Sequence, residues 1–317
     1  MRKVWAIIAA ILVVAGLIAL AVVMHENQWN VTKLSTQSFT TNTYEVRQQF
    51  HSISMDTDTA DIQFVLSKDG KCKVECYEDK TAKHSVTVEE DTLVIRVAND
   101  KNWHVYVGIH FDSPKITVYL PQTQYASLFI TEDTGRIEVP EDFAFDSVDI
   151  QSNTGDVAVL ASARETMRIH TSTGYIRVGN VSAGALDLSV STGDVTVSQA
   201  ICKGDLEVHV STGKAEITDT QCQNLISTGN TGDISLKNVI AAGSFSITRS
   251  TGDVKFEKSD ATELFIKTDT GDVRGSLLTE KVFIAQTDTG DVDVPKTTTG
   301  GRCEIQTDTG DIDIEIP

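Results

Sequence analysis

Three patterns of apolar and polar residues succeed one another along the chain, and each predicts a different element. The first is a block. Arg2 and Lys3 precede an uncharged run from Val4 to Met24, after which His25, Glu26 and Asn27 restore polarity. As a helix this run would rise about 31 Å, close to the hydrocarbon thickness of a bilayer. It predicts a membrane anchor over 4–24 with a short cytoplasmic N-terminus, 1–3, because the basic pair precedes the span. A cleaved secretory signal ending at Ala19-Leu20-Ala21 is the competing reading, but the apolar run continues past those residues. Either way the remainder is exported, and the expected location is the cell membrane with a single pass and the C-terminal domain outside. No Cys follows the run closely, so lipid attachment there is not expected.

The second pattern begins after a polar linker over 25–43. Between 44 and 127, short segments alternate apolar and polar, as in Lys73-Val74-Glu75-Cys76-Tyr77 and Leu93-Val94-Ile95-Arg96-Val97. Turn signals at Lys68-Asp69-Gly70 and over 99–102 separate them. This predicts a β-rich capping region.

The third pattern is a repeat covering 128–317. The dipeptide Thr-Gly recurs ten times, at Gly135, Gly155, Gly174, Gly193, Gly213, Gly232, Gly252, Gly271, Gly290 and Gly310, with every spacing 19 or 20 residues. Aligned on the glycine, the second position after it is always Ile, Val or Ala, and the seventh before it runs from Leu128 and Val148 to Phe283 and Cys303. Ser227 and Ala285 depart from the apolar column five residues before the glycine, and Gly275 departs from the column four after it.

Each unit therefore reads as strand, tight turn, strand, with period-two alternation on both sides. Such a unit cannot bury its apolar face alone; stacking in parallel register closes the core. The predicted fold is an all-β parallel β-solenoid of about ten coils and about 48 Å, right-handed by crossover preference. Whether the corner near Val181 and Val239 makes a third face stays open. Thr57-Asp58-Thr59-Ala60-Asp61-Ile62 looks like a degenerate unit with Ala in the glycine slot.

Charge narrows the partners. A formal net charge of −18 leaves no basic stripe for nucleic acid and disfavours lying flat on anionic lipid. The expected partners are the membrane, through the N-terminal helix, and a protein or cell-surface ligand.

Candidate chemistry comes from the columns. Each glycine suits a tight turn needing φ > 0, with the preceding Asp, Asn or Ser bonding the turn backbone. Asp follows the glycine in seven units, and in the last three units Asp269, Asp288 and Asp308 also precede it, alongside Asp272, Asp291 and Asp311. Stacked carboxylates repel by on the order of 0.8 kcal/mol per neighbour in water. They are either a solvated acidic edge or a row that Ca²⁺ could bridge; no other cofactor is expected. Cys202 and Cys222 both lie nine residues after their glycines in adjacent coils, within reach of a disulfide or present as a buried reduced pair.

Catalytic signals are weak. Polysaccharide-active β-helix enzymes need a local pair of carboxylates and usually aromatic platforms. Here the acids belong to a repeating column and the repeat holds no Trp. No catalytic residue is assigned. Thr-x-Thr rows such as Thr268/Thr270 and Thr287/Thr289 would suit a flat ice-binding face, but Asp interrupts them. The alternating acids and Pro of Asp311–Pro317 predict a protected final edge, or a docking end for a partner or a head-to-head dimer.

Ile116-Thr117-Val118-Tyr119-Leu120-Pro121, Leu128-Phe129-Ile130, Thr134-Gly135-Arg136-Ile137 and the later repeats of Ser/Asp-Thr-Gly-Asp-Val/Ile together resemble the bacterial candidate-adhesin family also called the toastrack domain. The resemblance covers about 45–317. It implies an exported β-strand repeat, often with an N-terminal anchor, sometimes tied to envelope-stress systems, and with no established enzymatic activity. The resulting expectation is a non-enzymatic envelope surface protein, adhesin-like or a scaffold. The alternatives are a polysaccharide-active enzyme and a Ca²⁺-dependent binding module.

Overall fold

The computed structural model describes residues 2–26, 28–29, 39–98 and 113–316. Most of the expected linker and the turn expected at 99–102 lie outside the described residues. Arg2–Glu26 is one α-helix. Among the described residues no helix is long and apolar enough to cross a membrane; the uninterrupted run of described side chains in this helix is 11–26.

The repeat folds as parallel coils. Val148 lies against Leu128 on one side and Met167 on the other, and Val157 lies between Ile137 and Ile176. Strands before the glycines form a first sheet and strands after them a second. The apolar columns face each other as the core, and Leu128, Val148, Met167, Ile137, Val157 and Ile176 are all buried. Their period-two alternation is what buries one face of every strand and wets the other.

Two features shape each coil. Nine of the ten turn glycines, all but Gly135, have φ between 124° and 151°, a region that L side chains rarely adopt. In addition, a Cβ on Gly252 would overlap the carbonyl of Gly232 one coil below. The glycine is thus demanded by backbone angle and by stacking together. Six residues further on, Asn180, Gln199, Asp219, Asn238 and Lys258 take φ of 50–56° and turn the chain again. A short third face follows: Ile201–Cys202 pairs with Ser182–Ala183, and Ile201 with Gln221.

At the N-terminal end, Ser52–Thr59 and Asp61–Leu66 form a true coil beneath Gln124–Thr134 and Ile137–Val139, with Ala60 in the glycine slot. Thr92–Val97 and Lys115–Leu120 add one more parallel row. Strand direction then reverses. His84–Glu89 pairs antiparallel with Thr92–Val97, Cys72–Asp79 with Lys115–Leu120, and Phe39–Val46 with Cys72–Asp79. These antiparallel strands close the stack.

The C-terminal end departs from sequence order and corrects the expectation above. The coil of Gly271 pairs not with the next coil in sequence but with the last: Leu264 lies against Cys303, and Val273 against Ile312. The Gly290 coil stacks outside that one, with Phe283 on Cys303 and Val292 on Ile312. In space the order is Gly271, Gly310, Gly290. Ile312–Glu315 is therefore an interior strand and not a protected final edge. The outermost strands are Lys281–Thr289 and Val292–Asp293.

Candidate binding surface

The acidic column has a structural task that its spacing alone did not reveal. Where Asp follows the glycine and a further coil stacks on it, its carboxylate accepts the backbone N–H at the same position of that coil. Asp233 Oδ1 takes the N–H of Asp253 at 3.0 Å, Asp253 that of Asp272 at 3.1 Å, and Asp272 that of Asp311 at 2.8 Å. Asp311 takes that of Asp291 at 3.1 Å, following the inverted coil order. Where the residue after the glycine is not Asp, the coil instead donates to the Asp beneath, as Tyr175 does to Asp156 and Lys214 to Asp194. Accepting the Asp291 N–H, and then the nearby Arg274 guanidinium, hold the Asp311 carboxyl below the usual carboxylate range.

Arg274 also spans two rungs, at 2.8 Å from Asp272 and 3.0 Å from Asp311. Mutual repulsion in the row is thus relieved by hydrogen bonds and an arginine. Asp269, Asp308 and Asp288 stand exposed on the other side of the turns. Of the six acids considered for Ca²⁺, no three bring ligand oxygens together. Among the described residues, one triple of His, Cys, Asp or Glu has ligand atoms within 4.8 Å of one another, and it is Cys76, Glu78 and His84.

That triple is sealed in the N-terminal cap. Glu78 Oε1 accepts from Asn42 at 2.6 Å, and Oε2 accepts the His84 backbone N–H at 2.7 Å and faces the imidazole Nδ1 at 2.7 Å. Burial, followed by the Glu78 charge, pushes the Cys76 thiol up to about 12. The cluster binds three strands of the cap to one another, and both Glu78 oxygens are engaged by protein groups.

The threonines three residues before the glycines point inward. Thr171, Thr268, Thr307 and Thr287 donate to the carbonyls of Gly155, Gly252, Gly271 and Gly310. Thr268 is fully buried, so the row is no flat ice-binding face. The same column holds Glu132 near the N-terminal end, where its Oε1 accepts the Ala60 N–H at 2.9 Å and its Oε2 the Thr57 hydroxyl. Burial drives its carboxyl up to about 8. The column also holds Arg249, 1% exposed, whose Nη2 donates to Ser227 at 2.9 Å while Nε has no partner. Gly229 lies beside it, and a Cβ there would overlap the guanidinium. Ser227, the polar departure from an apolar column, is the acceptor for this buried cation.

Cys202 and Cys222 stack in neighbouring coils on the third face, as their offsets require, yet both thiols are free. The Cys202 thiol donates to the Asp205 carbonyl at 3.2 Å. Both occupy a buried column flanked by Ala163 and Ala183 on one side and Ala241 and Ala261 on the other, where a small apolar side chain fits.

The outward face of the first sheet carries a candidate contact surface. There a shallow hollow of about 220 Å³ is bordered by Ser246, Thr248, Phe265, Lys267, Glu304 and Gln306. Phe265 is half-buried at its floor, under the Arg302 guanidinium at 5.8 Å. The hollow straddles the inverted join, because Phe265 abuts Glu304 only when the last coil is inserted. No sequence spacing could have brought these residues together.

Comparison with known proteins gives a family. The family model Toastrack DUF4097 matches residues 50–204 and again 196–317. No curated protein matches the sequence. Among solved structures, a candidate adhesin from Bacteroides fragilis is similar at 15% identity, covering 89% of this chain and 99% of its own, with a TM-score of 0.44. A candidate adhesin and a candidate lipid-binding protein from Parabacteroides distasonis are similar at 13% and 15% identity. They cover 86% and 75% of this chain and 98% and 95% of their own, with TM-scores of 0.44 and 0.47.

Proposed function

Since the chain belongs to the Toastrack DUF4097 family, we propose that it is an envelope surface protein, tethered by its N-terminal helix, whose solenoid binds a partner and performs no chemistry on it. The observation that carries this reading is where the acids go. The carboxylates that follow the glycines are rungs of a structural ladder, and all but the outermost, Asp291, accept a backbone N–H of the next coil. The hollow on the outward face of the first sheet combines a half-buried aromatic ring with a cation, an acid, an amide and hydroxyls. That mix suits contact with a polar polymer or a protein surface.

The tether rests on the uncharged run from Val4 to Met24 behind Arg2 and Lys3. An adhesin-like or scaffolding role, within an envelope-stress system or outside one, is the form such a module takes.

Two measurements test the proposal. The full chain expressed in cells should resist alkaline extraction from membranes, and release into the supernatant would remove the tether. The full chain in detergent micelles should be retained on immobilised envelope polysaccharide or envelope protein, with retention weakened by Phe265→Ala. Liberation of new reducing ends from the polysaccharide would instead make it an enzyme.

A further inference from the structure

The two ends of the stack are finished differently, and the C-terminal one is bare. Among the described residues, Lys281–Thr289 pairs only with Gly301–Thr309, and Val292–Asp293 only with Ile312–Glu315, which leaves one side of each strand without a described neighbour. The core columns register the missing coil. Cys303, Ile305 and Thr307 are fully buried, whereas Phe283, Ala285 and Thr287, one coil further out in the same columns, are only half-buried. Four large apolar side chains surround this rim: Leu278 is 42% exposed, Val282 39%, Ile284 50% and Val292 45%. The hydrogen-bond ladder also ends in the open, because the Asp291 carboxylate, unlike those of Asp272 and Asp311, receives no N–H. An unpaired, apolar strand edge is a template for another strand.

We propose that this edge is a homodimer interface, in which Lys281–Thr289 pairs antiparallel with the same strand of a second copy about a two-fold axis at Ala285. The strand is self-complementary in that register. Reversal sets Phe283 against the partner's Thr287, and Ala285 against itself, on the core side. On the outer side Val282 meets the partner's Asp288 and Ile284 the partner's Gln286, so no two like charges face each other. The two Asp288 side chains lie six residues apart along the paired strands, about 20 Å. Self-pairing also covers the exposed side of Phe283 and Ala285 with equivalent residues.

The two-fold operation consumes the same edge on both copies. The association therefore closes at two. One nine-residue edge offers less than the roughly 800 Å² per partner of a standard interface, so the dimer is expected to be weak and concentration-dependent.

The experiment uses the full chain in detergent micelles, by sedimentation velocity over a concentration series. The wild type should pass from monomer to dimer. Ile284→Lys, at an exposed rim position, should weaken dimerisation at least about tenfold, whereas Ile201→Lys, an exposed apolar site far from the rim, should leave it unchanged. Thermal melts establish that both variants fold. Independently, Ala285→Cys should yield a disulfide-linked dimer on mild oxidation, because only a residue on the axis meets its own copy, and Thr228→Cys should not. A wild type that stays monomeric throughout, a dimer indifferent to Ile284→Lys, or equal cross-linking at both cysteines overturns the proposal. A monomer that instead binds an unrelated protein strand at this rim overturns it as well.

Discussion

The two ends of the solenoid solve the same problem in opposite ways. At the N-terminal end the strand direction reverses, and the buried Glu78 and His84 with the half-buried Asn42 tie the antiparallel strands together over the last parallel row. At the C-terminal end parallel pairing simply stops, and the outermost coil keeps its core columns half open. A repeat stack needs its terminal units finished because every interior coil draws its burial from two neighbours. One end here is sealed by its own chain. The other is left for something else to cover.

This contrast can be broken or sharpened by experiment. The largest effect is expected from Gly252→Val, deep in the stack, where a side chain would overlap the Gly232 carbonyl and occupy a φ of 147°. A loss of about 4 kcal/mol in a denaturant melt is expected. Ala60 shows that the slot accepts a Cβ close to the capped end, so an unchanged melt for Gly252→Val would erase the distinction between interior and end. Next in size, Glu78→Ala should cost about 3 kcal/mol by stranding the buried His84 donors and the half-buried Asn42 amide. Hydrogen exchange should show the loss concentrated in 39–98; uniform loosening would mean that the cap is no separate unit.

The ends should also answer pH in opposite senses. Near the N-terminal end the Glu132 carboxyl is raised to about 8, so the folded state holds its proton where the unfolded chain has released it. Stability from this group is present below about 4.5 and falls as pH rises to about 8. Glu132→Gln should flatten that slope, and a slope that persists would place its cause elsewhere. Near the C-terminal end Asp311 is lowered, so its contribution is present above the ordinary carboxylate range and is lost as pH falls through the folded value. Exchange measured across the pH range should loosen 52–60 and 124–134 first on the alkaline side, and 281–316 first on the acid side. The smallest expected effect concerns calcium. With the ladder carboxylates engaged by N–H groups and Arg274, melts with calcium and with chelator should coincide. A rise in melting temperature with calcium would restore the cation row.

Much of this was legible in the residues themselves. The glycine spacing gave the coils, their parallel register and the inward columns, because stacked identical offsets leave a period that survives substitution. Ala60 was readable as a turn for the same reason. The ladder was half legible: Asp after glycine could be seen, but not that its oxygen reaches the N–H of the following coil, since that bond spans about twenty residues. The Ser227 departure was visible as an irregularity and became intelligible only beside Arg249 and Gly229, three positions in two adjacent coils that trade volume and polarity.

The sequence by itself determined which residues share a row, because period-two alternation and a fixed repeat length decide which face each side chain takes. Only the tertiary structure decided the order in which the last rows stack. The three final turns share Thr-Asp-Thr-Gly-Asp, so each offers the same acceptors and fits on either of the others. What separates them is volume in the core. Ile305, Ile312 and Ile314 fill the interior slot, with Ile314 set against the bare Gly275, where the Gly290 coil offers only Ala285, Val292 and Val294. The coil that fills the core better takes the inside place, and the poorer filler is left at the rim.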